Sequence, residues 1–134
     1  MLSVHVISEE NKDLAFQYLK QKQIQYDLLG HIAMLCTDGA EPAGFVSACL
    51  CGETEISSEL DWIIAEDNEI VYLLVRSIFH ILERRGIFDV FCKKEEYFPF
   101  LQQHGMKETI KDGKKMLVLN LQGYFEAGHE TKHE

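Results

Sequence analysis

A single α/β domain, a mixed β-sheet flanked by α-helices, is the fold class the sequence predicts. Three observations predict it. Residues 59–94, ELDWIIAEDNEIVYLLVRSIFHILERRGIFDVFCKK, read as strand, acidic turn, long apolar helix and strand, a crossover whose two strands should lie parallel in one sheet. Upstream, three strand-like runs follow one another through short connections, which suits an antiparallel meander. Downstream, Met106–Ile110 and Met116–Leu121 flank Asp112-Gly113, a hairpin signal.

Taken in order, Leu2–Ile7 alternates Leu2, Val4 and Val6 against Ser3, His5 and Ile7 and reads as a first strand. Asn11 is placed to cap a helix running to about Gln23, with Leu14, Ala15, Tyr18 and Leu19 on one face and Lys and Gln on the other. Residues 24–30 carry no clear pattern, a short helical turn being one reading. Ile32–Thr37 and Ala43–Cys51 are strands about the turn signal Asp38-Gly39. In the crossover, Leu60, Trp62 and Ile64 alternate with Asp61 and Ile63. Asp67 or Asn68 then caps a helix whose first turn holds Glu69. Its apolar stripe is Ile70, Leu73, Leu74, Ser77, Ile78, Ile81 and Leu82, widened by Val71, Val75 and Phe79. Arg84, Arg85 and Gly86 end the helix, and Ile87–Cys92 is the next strand. Lys93–Gln103 reads as a short helix, with Pro99 inside it at a place tolerable only in a first turn.

The chain has 134 residues, 46% of them hydrophobic, enough for one domain with its own core. Residues 1–122 form that domain, and 123–134 read as a polar, loose tail. A net charge of −9 argues against nucleic acid or an anionic membrane as the main partner. No apolar run is long enough to span a bilayer, and the first residues lack a basic start followed by an apolar stretch. Cys36, Cys49, Cys51 and Cys92 sit in apolar segments and read as buried, reduced thiols. A cytoplasmic location is the expectation.

The element order, with the hairpin IAMLCTDGAEPAGFVSACL, the strand ELDWIIA, the helix end LERRGI and the segment FPFLQQHGMKE, resembles the GNAT acetyltransferase superfamily over residues 2–121. No single motif carries the resemblance; the ordered set does. It implies a GNAT-like mixed sheet, and an N-acyltransferase moving an acetyl group from acetyl-CoA to an amine on a small molecule or peptide. It implies backbone groups of Ile63, Ile64 and Ala65 for the pantetheine arm and thioester carbonyl. The helix start Glu69, Ile70, Val71 and Tyr72 would receive the diphosphate, with Arg76 as the nearest cation on that helix. Glu59 or Asp61 would be the base and Tyr97 the acid. The family's acid, four residues before the helix-ending glycine, corresponds to Leu101. In that family the phosphate-binding turn reads Arg/Gln-x-x-Gly-x-Gly/Ala; here residues 65–71, AEDNEIV, hold neither glycine nor a basic residue, and the connection is about four residues shorter. The alternative is a non-catalytic binding or assembly module with the same fold. A homodimer is left open.

Other patterns read as structural. His129-Glu130-Thr131-Lys132-His133 matches H-E-x-x-H, but its segment has no apolar face, so no metal site is expected. Cys49-x-Cys51 is too closely spaced for a zinc knuckle, and a Cys nucleophile would need His31 or His104 beside it. Tyr97, Phe98 and Phe100 read as helix-to-sheet packing. Arg84 and Arg85 read as surface charge.

Overall fold

In the computed structural model, residues 1–53 and 56–125 are described; the H-E-x-x-H segment lies outside them. The elements are β1 (Leu2–Val6), α1 (Lys12–Gln21), β2 (His31–Asp38), β3 (Glu41–Cys51), β4 (Ser57–Ala65), α2 (Asn68–Arg84) and β5 (Asp89–Cys92). A 3₁₀ turn (Glu95–Tyr97), α3 (Phe98–Gln102), β6 (Lys107–Lys111) and β7 (Lys114–Asn120) complete the described chain. They form one sheet in the order β1-β2-β3-β4-β5-β7-β6. Neighbours are antiparallel except β4 and β5, which run parallel across the α2 crossover.

Helix α2 forms for the reasons its sequence states. The Asp67 side chain accepts the backbone N–H of Ile70 at 3.0 Å, capping the helix start. The buried stripe is Ile70, Val71, Leu74, Val75, Ile78, Phe79 and Leu82. It is rotated from the expected one, since Leu73, Ser77 and Ile81 are only partly buried. With α3 it covers one sheet face, over Met34, Val46, Leu60, Val90 and Leu117. Helix α1 covers part of the other face, packing Ala15, Tyr18 and Leu19 on Ala33, Leu35 and Phe45. Gly44 fixes how closely α2 lies on β3: a Cβ there would stand 2.6 Å from Ile70 Cγ2 and 2.9 Å from Leu74 Cδ1.

Several expectations are corrected. Asn11 stands at the N-cap position of α1 as expected, but its side chain caps no helix N–H: its Oδ1 accepts from Ser8 N–H and its Nδ2 donates to the Val6 carbonyl, so it pins the strand exit instead. Residues 24–30 are not helical. Residues 95–102 split into a 3₁₀ turn and one short helix, with Pro99 in the helix's first turn. Cys36 and Cys92 are buried, but Cys49 and Cys51 are only half-buried. Packing also continues past residue 122: Tyr124 is 7% exposed, its ring lies edge-on to Phe79, and its hydroxyl donates to the His104 carbonyl at 2.5 Å. Among the described residues no helix is long and apolar enough to cross a membrane.

Candidate active site

The parallel pair β4–β5 is short. Ser57, Ser58 and Glu59 face Asp89, Val90 and Phe91, then β4 runs on to Ala65 while β5 ends at Cys92. On its other side β4 changes register against β3: Ser47 faces Trp62 and Ala48 faces Leu60, leaving Asp61 as an extra residue. Such a bulge turns a strand and re-aims its side chains. Before it Leu60 packs towards α2 and after it Ile63 does, while Trp62 and Ile64 pack towards α1.

Tyr97 sits where the two strands part. Burial raises its phenol above the ordinary range, and a backbone hydrogen bond from Ile63 lowers it; a donor to the phenol oxygen favours the anion. Tyr97 stands one turn before Leu101, which is fully buried. Lys94 Nζ stands 3.5 Å from the centroid of the Trp62 ring and 5.9 Å from that of Tyr97, a cation held on aromatic faces.

Asp61 is tied down from two neighbouring strands. His31 Nε2 lies 3.0 Å from its Oδ2, and Ser47 Oγ donates to its Oδ1. His31 Nδ1 faces the Leu29 carbonyl at 2.9 Å, so both ring nitrogens meet oxygen acceptors, and the ring donates to both only when doubly protonated. The Tyr26 ring stands edge-on to His31 and Phe45 at 5.1 and 5.0 Å. Burial pushes the Tyr26 phenol well above its ordinary range, with Ser47 beside it opposing. Glu59 makes no hydrogen bond or ion pair among the described residues and is half-buried. His31 is committed to Asp61 and His104 packs against Tyr72 and Phe79, so among the described residues neither forms a thiol–imidazole pair with Cys49, whose thiol burial raises.

The start of α2 carries the chain's own carboxylates. Only Glu66 and Asp67 separate β4 from α2, and the Asp67 carboxylate occupies the Ile70 N–H. Glu66 pairs with Lys22 of the α1 end at 3.8 Å, and Glu69 is exposed in the first turn. The side chains of Ile70 and Val71 go into the core. Arg76 lies over the Tyr72 ring at 5.7 Å. Between α2 and α3 the cavity lined by Asn68, Val71, Tyr72, Phe100, Gln103 and His104 is about 60 Å³, room for about two waters. At the α2 start the acidic side chains Glu66, Asp67 and Glu69 are a poor match to the diphosphate of acyl-CoA.

Of the residues read from sequence, the structure brings Asp61, Trp62, Ile63 and Tyr97 to one place and leaves Glu69, Tyr72 and Arg76 along α2. Sequence reasoning missed His31, Ser47, Tyr26 and Lys94 as parts of the cluster. Strand parity puts His31 on the face of Ala33 and Leu35, but no sequence signal sets the register that brings it to Asp61.

No protein-family model and no curated protein matches the sequence. Solved structures do match the fold. A probable acetyltransferase from Staphylococcus epidermidis superposes with a TM-score of 0.71 at 10% identity, over 90% of this chain and 99% of that one. An aminoglycoside 6'-N-acetyltransferase from Enterococcus faecium gives 0.69 at 15% identity, over 89% and 97%. A GNAT-family acetyltransferase from Staphylococcus aureus gives 0.65 at 12% identity, over 91% and 100%. The parallel β4–β5 pair and its crossover helix thus sit in a chain that has the fold of the GNAT N-acetyltransferases.

Proposed function

We propose that the protein is an N-acyltransferase that moves an acyl group from a thioester, acetyl-CoA being the reference donor, to an amine. One observation carries the reading: Tyr97 lies beside β4 where β4 and β5 part, near enough to Ile63 and Asp61 for both to act on its phenol. That pairs a donor suited to a thioester carbonyl with an O–H suited to a leaving sulfur. Glu59, without hydrogen-bond partners among the described residues, is the carboxylate with lone pairs open to an amine proton. Asp61 spends its own on Ser47 and His31 and orients the bulge. Calorimetric titration with acetyl-CoA and with CoA tests the donor. Saturable micromolar binding supports the reading, and no binding at millimolar ligand removes it.

A second reading, a non-catalytic module of the same fold, is favoured by the Asp67 cap. The helix start that an anion would use already holds a carboxylate of the chain itself, between Glu66 and Glu69. Under this reading neither ligand binds, and replacing Tyr97 changes stability alone.

A further inference from the structure

Among the described residues, no helix covers the sheet face opposite α2 over β5, β7 and β6. The cluster under α1 stops at Trp62 and Ile64 on β4 and contains no residue of these three strands. What lies there instead is a cavity of about 1120 Å³, larger than the usual range for a small-molecule pocket. Its apolar floor is Phe91, Met116 and Val118; Phe91 and Val118 are register partners, and Val118 is 37% exposed. Lys93, Lys111, Lys114 and Lys115 line the same cavity, against Glu95 and Asp112.

This charge is out of keeping with the chain. Six of its thirteen Lys and Arg residues fall between Lys93 and Lys115, with only four acids, although the whole carries −9. Lysines on an edge strand serve to discourage strand pairing, and β6 is an edge strand. That role does not account for Lys114 and Lys115, which lie off β6, or for the half-buried apolar floor beside them, where Lys93 Nζ rests 5.5 Å from the Phe91 ring centroid.

We propose that this face is a docking site for an extended acidic peptide segment of a partner protein, with apolar residues alternating with Asp or Glu. An extended segment turns every second side chain to one side, so its apolar set covers Phe91, Met116 and Val118 while its carboxylates reach the lysines. A second copy of this chain, itself strongly acidic, is the competing occupant. The site needs no acyl donor, so it stands or falls apart from acyl transfer.

The test is fluorescence anisotropy with a labelled eight-residue peptide alternating Glu and Leu, without CoA present. Saturable binding is expected, weakening at least about tenfold as salt rises from about 50 to about 300 mM. The triple charge reversal Lys111→Glu, Lys114→Glu, Lys115→Glu, confined to the exposed hairpin, is expected to weaken it at least tenfold. A control reversal of equal charge, Lys20→Glu, Arg84→Glu, Arg85→Glu, is expected to leave it within twofold. Equal losses in both variants, no saturation at millimolar protein, or tighter binding of duplex RNA than of the peptide would each overturn the proposal. So would a wild-type dimer that the hairpin variant dissolves.

Discussion

Asp67 and Ile70 stand three residues apart in sequence, and the carboxylate of one holds the backbone N–H of the other at 3.0 Å. The chain thus supplies its own anion at the start of α2. Asp67→Asn keeps a capping oxygen and removes the charge. Combined with Glu66→Gln and Glu69→Gln, it is expected to raise CoA affinity by about tenfold, since a close like-charge pair near the surface costs on the order of 1 kcal/mol or more. Asp67→Ala is expected to lower stability by about 1 kcal/mol. Calorimetry and urea unfolding read the two effects separately.

Tyr97→Phe keeps the ring in the gap between β4 and β5 and removes only the hydroxyl. Under the acyltransferase reading, turnover is expected to fall by about 10²-fold with little change in KM, the scale of a positioned proton donor. Steady-state kinetics with an amine panel checks this. A melting temperature within a few degrees of wild type shows that the loss is chemical.

The Asp61 cluster makes a stability claim. Ser47 is fully buried, so Ser47→Ala leaves a half-buried carboxylate short of a partner at a cost of about 1–3 kcal/mol. His31→Ala is expected to cost a similar amount. In double-mutant cycles with Asp61→Ala, each is expected to show coupling of about 1 kcal/mol or more. Additive losses would place the three residues in independent roles.

Gly44→Ala is expected to destabilise by about 1–3 kcal/mol, the range for overpacking. The new methyl would meet Ile70 and Leu74 side chains below 3 Å and the Ile64 carbonyl at 3.0 Å. Ile70→Val made with it is expected to recover part of the loss, since Ile70 makes the nearest contact.

Alkaline pH should unfold the protein earlier than its acidic composition suggests. Burial pushes the Tyr18 phenol up to about 12 from 10.0, with Glu66 adding to it, and the Cys92 thiol up to about 11 from 9.0. Between the unfolded and folded values the unfolded chain has released these protons and the folded chain keeps them. Stability therefore falls as pH rises, by about 1.4 kcal/mol per pH unit for each group. It is whole below pH 9 and lost progressively through pH 9–12. Urea unfolding at pH 8, 10 and 11 measures the slope, and Tyr18→Phe is expected to flatten its upper part.

Much of the fold is legible locally. The crossover, the Asp67 cap and the Asp112-Gly113 turn rest on patterns within a few residues, and all three stand in the structure. Of the candidate cluster, Asp61 and Tyr97 were singled out from the sequence. Its other members were not, because His31, Ser47 and Asp61 meet across three strands, and the bulge that assembles them has no sequence mark of its own. Which hairpin strand joins β5 was equally hidden: β7 does, putting the earlier strand β6 at the edge.

By itself the sequence determined the order and type of the elements, the acidic start of α2, and the uneven spread of charge between Lys93 and Lys115. Only the tertiary structure decided where β4 bulges, that Tyr97 lies near Ile63, and which sheet face no described helix covers. The division is physical: caps, turns and periodicity are set by neighbours along the chain, whereas register and the parting of strands are set by how distant side chains fill one core.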